Sequence, residues 1–189
     1  MAAASDTAVL DALVEIQRAQ DPTLAFRYAC RVGMCGSCAM VVNGRERRAC
    51  RTRLESRGPG PVSVRPLYHF PLLGDLVVDM TLFAARLQDV GAALTPGENA
   101  EPYARVSGLS AERREIDLAI ECIGCGMCVS ASTMVGHNER FPGAAALNRA
   151  LTLGLDHRDG EREARWRVLL ATTRLHAATG RATARRSAR

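Results

Sequence analysis

Four cysteines, Cys30, Cys35, Cys38 and Cys50, lie in the stretch CRVGMCGSCAMVVNGRERRAC. Their spacing is C-x4-C-x2-C-x11-C, with Gly33 and Gly36 inside the first loop. Thiolates spaced in this way wrap a [2Fe–2S] pair: three sulfurs come from one short loop, and the fourth returns from a neighbouring strand. Glycines let such a loop adopt left-handed backbone angles and bring N–H groups close to the sulfurs. Those N–H groups, together with Arg31, offset the negative charge of the cluster and help set its potential. Zinc fits the pattern less well, because structural zinc sites join a closely spaced pair of ligands to a second, distant pair.

The elements that position these thiols are legible around them. Residues 7–20 (TAVLDALVEIQRAQ) predict an amphipathic helix, with Val9, Leu13 and Ile16 on one face, Leu10 and Val14 beside them, and Asp6 or Thr7 as N-cap. Asp21-Pro22 ends it. After the cysteine loop, Ala39–Val42, an Asn43-Gly44 turn and Arg45–Cys50 predict a β-hairpin that carries Cys50 back beside Cys38. A turn at RGPGP and a strand at Val62/Val64 follow, and Pro66 to Pro71 reads as an extended linker. Beyond it the chain reads as helical. Leu76, Met80, Phe83, Leu87 and Val90 recur at helical spacing, Ser110 caps a helix holding Ile116 and Ile120, and further helices are expected over 142–155 and 161–176. These apolar stripes read as core.

A second cysteine group, Cys122, Cys125 and Cys128, occupies ECIGCGMCVSAST. C-x2-C-x2-C opens the run that wraps three corners of a cubane, whose next cysteine position falls here on Ser132. The sequence holds no cysteine after Cys128, so it supplies three thiolates of a [4Fe–4S] site. A Cys3His zinc site using His137 and a three-ligand cluster completed by solvent or Ser132 remain open alternatives. His69, His137, His157 and His176 otherwise read as surface residues.

Composition narrows the class. With 189 residues and 47% hydrophobic content the chain reads as globular, long enough for one medium domain or two small ones. All 25 basic residues are Arg. Residues 161–189 hold eight Arg against two Glu, a net of +6, whereas residues 1–160 hold 17 Arg against 18 acids, a net of −1. The basic character belongs to the tail, without aromatic interleaving, and so does not read as a nucleic-acid-binding face. The start MAAASDTAVL has neither a basic nor an apolar leader segment, and no run approaches a membrane span. This reads as a reducing, cytoplasmic setting with cysteines used for metal.

The stretch DALVEIQRAQDPTLAFRYACRVGMCGSCAMVVNG…RAC resembles the [2Fe–2S] domain of the iron–sulfur subunits of succinate dehydrogenase/fumarate reductase. RPLYHFPLLGDLVVDMTLFAARL, ECIGCGMC and FPGAAALNRALTLGLDHRDG resemble successive later blocks of that family, so the likeness covers roughly residues 7–160. It implies an α+β fold: a β-grasp [2Fe–2S] ferredoxin-like domain over residues 1–70, then an all-α helical ferredoxin domain over 71–189. It implies an electron-transfer subunit of an oxidoreductase, without substrate chemistry of its own. Its partners would be an FAD-containing flavoprotein and a membrane anchor handling quinone, holding it peripherally on the cytoplasmic face of a bacterial inner membrane. Cys30, Cys35, Cys38 and Cys50 would hold [2Fe–2S], and Cys122, Cys125 and Cys128 would ligate [4Fe–4S]. The family's [3Fe–4S] cluster needs a cysteine at position 132 and two from a later run, neither of which the sequence has. The resemblance thus implies a chain shortened at its start, where six residues ahead of Thr7 stand in for two strands, and divergent after about residue 160. The small subunit of molybdenum hydroxylases shares the first cysteine spacing, and a free-standing [2Fe–2S] ferredoxin or redox sensor is a third possibility.

Overall fold

The computed structural model describes residues 6–57, 60–98, 107–138 and 140–171. Among the described residues the architecture is mixed α+β with two small sheets. The chain divides into two compact units, one running to Leu82 and including Ile123–Thr133, the other holding Phe83–Cys122 and the chain from Met134 onward. No helix among the described residues is long and apolar enough to cross a membrane.

The first unit is built on a three-stranded antiparallel sheet of order β2-β1-β3, formed by β1 (Ala39–Val42), β2 (Arg45–Arg48) and β3 (Val64–Arg65). Asn43 and Gly44 both take positive φ (48° and 74°), the conformation a tight two-residue hairpin needs. Asn43 also pins β3, its N–H donating to the Ser63 carbonyl (2.9 Å) and its side-chain oxygen accepting from the Ser63 N–H (2.8 Å). All four residues of β1 are buried, as a central strand covered on both faces requires. Met40 and Val42 face α1 (Val9–Ala19), packing with Val9, Leu10, Leu13 and Val14. Ala39 faces the other way, into a cluster with Leu67, Val78, Phe70, Met80, Cys125 and Met127. The sheet therefore lies between α1 and the second cysteine run.

The helix over 9–19 keeps the predicted apolar face, but its N-cap is Ala8, not Asp6 or Thr7. The Val9 N–H donates to the Thr52 carbonyl (2.8 Å), and the Asp11 carboxylate accepts from the Ala8 N–H (3.3 Å), so a tertiary partner takes over part of the capping. Leu10 is 1% exposed at the centre of this packing. Leu10→Ala is expected to destabilise the first unit by about 3 kcal/mol, read as a lower urea midpoint with unchanged slope. An unshifted midpoint would refute this placement of α1.

Three sequence expectations need correction. The second hairpin strand ends at Arg48, and Cys50 sits in a 3-10 turn over Ala49–Arg51. The last ladder bond, Ala49 N–H to the Cys38 carbonyl (3.0 Å), already sets Ala49 in the core, and the chain then turns to meet α1. The segment from Pro66 to Pro71 is no linker. Leu67 is buried, and His69 takes a positive φ of 64° in a turn. Leu76 and Met80 do not begin a helix. β4 (Leu72–Gly74) pairs with β5 (Val77–Val78) across a turn in which Asp75 has φ 38°, and α2 (Thr81–Asp89) starts only where the Asp79 carboxylate accepts from the Thr81 N–H (2.8 Å).

The regular elements of the second unit, among the described residues, are helical. α3 (Ala111–Ala119) is capped by Ser110 as predicted, the hydroxyl accepting from the Arg113 N–H (3.1 Å). The short α4 (Met127–Ser130) belongs to the first unit and α5 (Thr133–His137) follows it. α6 (Ala144–Leu155) packs against α3, with the Asn148 amide donating to the Ala119 carbonyl (2.7 Å). A further helix, α7, runs over residues 162–171. Val90, Ala146 and Ala150 form the core, with Leu87, Val168 and Leu169 packed against them. His69, His137 and His157 are exposed, whereas the predicted helix beyond 171, His176 and the arginine-rich tail lie outside the described residues.

Candidate iron–sulfur site

The first cysteine loop is shaped by three consecutive demands on its backbone. Arg31, Gly33 and Gly36 take positive φ of 59°, 82° and 72°, which bends the chain back on itself between Cys30 and Cys38. The bend turns N–H groups inward. Met34 and Cys35 N–H groups donate to the Cys30 Sγ at 3.2 and 3.3 Å. The Ser37 hydroxyl, with backbone N–H groups of Cys30 and Ser37, brings the Cys35 thiol down to about 6. Burial, together with the adjoining Cys38, pushes Cys50 up to about 11. Donors fixed by the fold thus already point at sulfur. That is the outer shell a metal-bound thiolate needs.

The four thiols meet as pairs. Cys35 neighbours Cys30, and Cys50 neighbours Cys38. Among the described residues no three His, Cys, Asp or Glu side chains gather as one isolated metal ion would require. A binuclear cluster asks for something else, two protein ligands on each of two irons. The paired thiols, the inward N–H groups and the glycine-turned loop fit a [2Fe–2S] cluster.

Positive charge surrounds the loop from several elements. Arg31 lies over the Tyr28 ring (5.8 Å) and reaches Asp11 of α1 at 3.3 Å. From the end of β2, Arg48 donates to the Gly33 carbonyl, and the Arg51 side chain covers Gly33. Of these arginines, sequence reasoning singled out only Arg31. The alternation along β2, which puts Glu46 and Arg48 on one face, was the available signal for Arg48. Val32 and Met34, at 61% and 71% exposed, form the outer tip of the loop.

The second run turns on Gly124 and Gly126, at φ 64° and 77°, before α4. Cys125 is packed in the first unit's core against Ala39, Phe70 and Met80, while Cys128 is exposed on α4. Cys122 is the exposed last residue of its segment of the second unit. Ser132 lies just beyond α4, its N–H donating to the Val129 carbonyl (3.2 Å), and His137 ends α5. Sequence reasoning missed Ser130. Its buried hydroxyl donates to the Glu46 carboxylate of β2 (2.8 Å) and accepts from the Tyr68 N–H (2.9 Å), a tertiary link with no mark in the local sequence.

A family model described as a 2Fe-2S iron-sulfur cluster binding domain matches residues 1–85. The chain is 39% identical over 155 residues to the fumarate reductase iron-sulfur subunit of Mycobacterium tuberculosis (strain CDC 1551 / Oshkosh), covering 80% of this chain and 62% of that one. It is 32% identical over 176 residues to the fumarate reductase iron-sulfur subunit of Haemophilus influenzae, covering 87% and 68%. It is 39% identical over 161 residues to the succinate dehydrogenase iron-sulfur subunit of Paracoccus denitrificans, covering 82% and 60%. The chain thus spans about three-fifths to two-thirds of the length of these curated relatives. Among solved structures, a chain of the Mycobacterium smegmatis Sdh1 complex in the apo form superposes with a TM-score of 0.76 at 29% identity, covering 83% of this chain and 67% of that one.

Proposed function

This chain belongs to the family of succinate dehydrogenase/fumarate reductase iron–sulfur subunits, and from that premise we propose that it carries electrons between an FAD-containing flavoprotein and a membrane anchor that handles quinone. The reading extends to a β-grasp ferredoxin-like portion around the first cysteine loop and a helical ferredoxin portion after it. It also places the chain peripherally on the cytoplasmic face of the membrane. The relatives' names favour this family over the small subunit of molybdenum hydroxylases.

Four thiols meeting in two pairs inside a cage of N–H donors support this reading most directly. When bound, a [2Fe–2S] cluster supplies reversible one-electron transfer. Cys30 and Cys35 would hold one iron, and Cys38 and Cys50 the other. The residues around them do the tuning: N–H groups and the Arg31 and Arg48 guanidinium groups stabilise the extra negative charge that reduction adds. The apolar tip at Val32 and Met34 offers the flavoprotein a contact beside the first cluster. Cys122, Cys125 and Cys128 would supply three thiolates to a [4Fe–4S] cluster, with the fourth ligand from Ser132 or solvent. A [3Fe–4S] cluster has no cysteine set in this sequence.

Low-temperature EPR of anaerobically reconstituted, dithionite-reduced chain tests this, paired with iron and sulfide analysis. The expected result is a [2Fe–2S] signal near one spin per chain, with a second, faster-relaxing signal from the cubane. A chain that takes up zinc but yields no [2Fe–2S] signal would refute the reading.

A further inference from the structure

Gly36 lies between Cys35 and Cys38 in the first cysteine loop, and it meets Cys125 of the second run directly. A Cβ built on Gly36 would stand 2.5 Å from the Cys125 Cβ and 3.0 Å from its Cα, with Ile123 Cδ1 at 3.2 Å. Separations under 3 Å between such atoms are not tolerated, and the Cys125 Cα belongs to backbone that cannot swing aside. The two loops therefore touch only because residue 36 has no side chain. This goes beyond the positive φ of 72°, which asks for glycine on its own account.

Other residues keep the second run in this seat. Ala39, whose N–H donates to the Gly36 carbonyl (3.0 Å), packs in one cluster with Cys125 and Met127. Four residues beyond Gly126, Ser130 is 3% exposed and bonded to both Glu46 and Tyr68. Gly126 is nested in turn, since a Cβ there would come within 3.1 Å of Met80 Cε and 3.2 Å of the Phe70 ring. The bond to the Glu46 carboxylate is charge-assisted and so of the stronger kind, and the Tyr68 N–H fixes the same hydroxyl from the other side.

We propose that Gly36 is a positioning residue: its missing side chain, with the Glu46–Ser130–Tyr68 link as a clamp, seats Cys125 against the first cysteine loop and so sets the separation of the chain's two electron carriers. The inference rests on the reading of Cys122, Cys125 and Cys128 as ligands of a [4Fe–4S] cluster. With both clusters bound, the exchange it would serve is a one-electron one, from a reduced [2Fe–2S] cluster to an oxidised [4Fe–4S] cluster, without a proton or third reactant. Such exchange falls off steeply as the gap widens, so a displaced Cys125 matters more than its contact area suggests.

The test measures magnetic coupling in the full, reconstituted chain. A reduced second cluster close by speeds the relaxation of the [2Fe–2S] signal, which then needs more microwave power to saturate. Gly36→Ala is expected to lower the half-saturation power several-fold. Ser130→Ala, which leaves the first loop's sequence untouched, is expected to lower it in the same direction and decides the matter if Gly36→Ala loses the first cluster. Gly44→Ala carries the same positive-φ cost in open space, at φ 74° with nothing within 4 Å, and is expected to leave saturation unchanged. Unaltered saturation in both Gly36→Ala and Ser130→Ala, with both clusters present, would overturn the proposal. A wild-type chain with only the [2Fe–2S] signal and two irons would overturn it too, but through the second-cluster reading, and would be recognised before any variant is compared.

Discussion

Cys50→Ala is expected to abolish the [2Fe–2S] signal, reducing it at least tenfold per chain, while Cys122→Ala leaves it intact. Cys50 is the one of the four proposed ligands that does not belong to the first loop. It arrives from the 3-10 turn after β2 and lies beside Cys38. Without it, one iron of a bound [2Fe–2S] pair would keep a single protein thiolate. Changes to outer-shell partners alone typically cost 10–100-fold in metal affinity, and loss of a ligand costs more. Iron and sulfide analysis with EPR spin quantitation reads the effect. A signal of full intensity in Cys50→Ala would mean that the fourth ligand lies elsewhere.

The second large effect is in stability, at a buried ion pair in the second unit. Arg165 and Asp159 side chains are 7% and 0% exposed, with Arg165 Nη2 3.4 Å from Asp159 Oδ2. The guanidinium also donates to the carbonyls of Val90 (3.4 Å) and Ala93 (3.0 Å), and the carboxylate accepts from the N–H groups of Thr95 (3.3 Å) and Glu161 (2.8 Å). One arginine thus ties the end of α2 and the loop after it to the turn before α7. Gly91, at φ 62°, leaves room for the guanidinium where a Cβ would collide with it. Arg165→Met is expected to cost about 3–5 kcal/mol, because it leaves the buried Asp159 carboxylate without its counter-charge. Asp159→Asn added to Arg165→Met should recover part of that loss, since the double variant buries no unpaired charge. Denaturant unfolding reads both. A loss under about 1 kcal/mol in Arg165→Met would show that water reaches the carboxylate.

The signals that were legible in the sequence were local ones. C-x4-C-x2-C with interior glycines needs no neighbours to be read, because one short loop makes most of the site. Asn43-Gly44 announced its hairpin through the positive φ that both residues adopt, and Ser110 announced its helix through a hydroxyl that accepts from Arg113. The failures came where a nonlocal partner outweighed local preference. Leu76 and Met80 fit a helical stripe, yet Gly74 and Asp75 turn the chain into a hairpin whose Val78 side chain is buried beside Leu67 and Ala39. Asp6 and Thr7 are good caps, yet the Thr52 carbonyl takes the Val9 N–H and shifts the start of the helix. Pro66 to Pro71 reads as a linker by composition, but Leu67 and Phe70 are pulled onto the second face of the sheet.

The sequence by itself determined the cysteine pattern of this chain: seven cysteines in two spacings, the loop that turns around the first set, and the hairpin that leads the chain back toward Cys38. Those features follow from backbone conformations that individual residues impose over a few positions. Only the tertiary structure decided how the thiols pair, which arginines stand over the loop, and that Cys125 rests against Gly36. Residues 36 and 125 lie far apart in the chain, and no local preference encodes their meeting. It arises because β1 is apolar on both faces: α1 covers one, and the second cysteine run shares the other with Leu67, Phe70 and Val78.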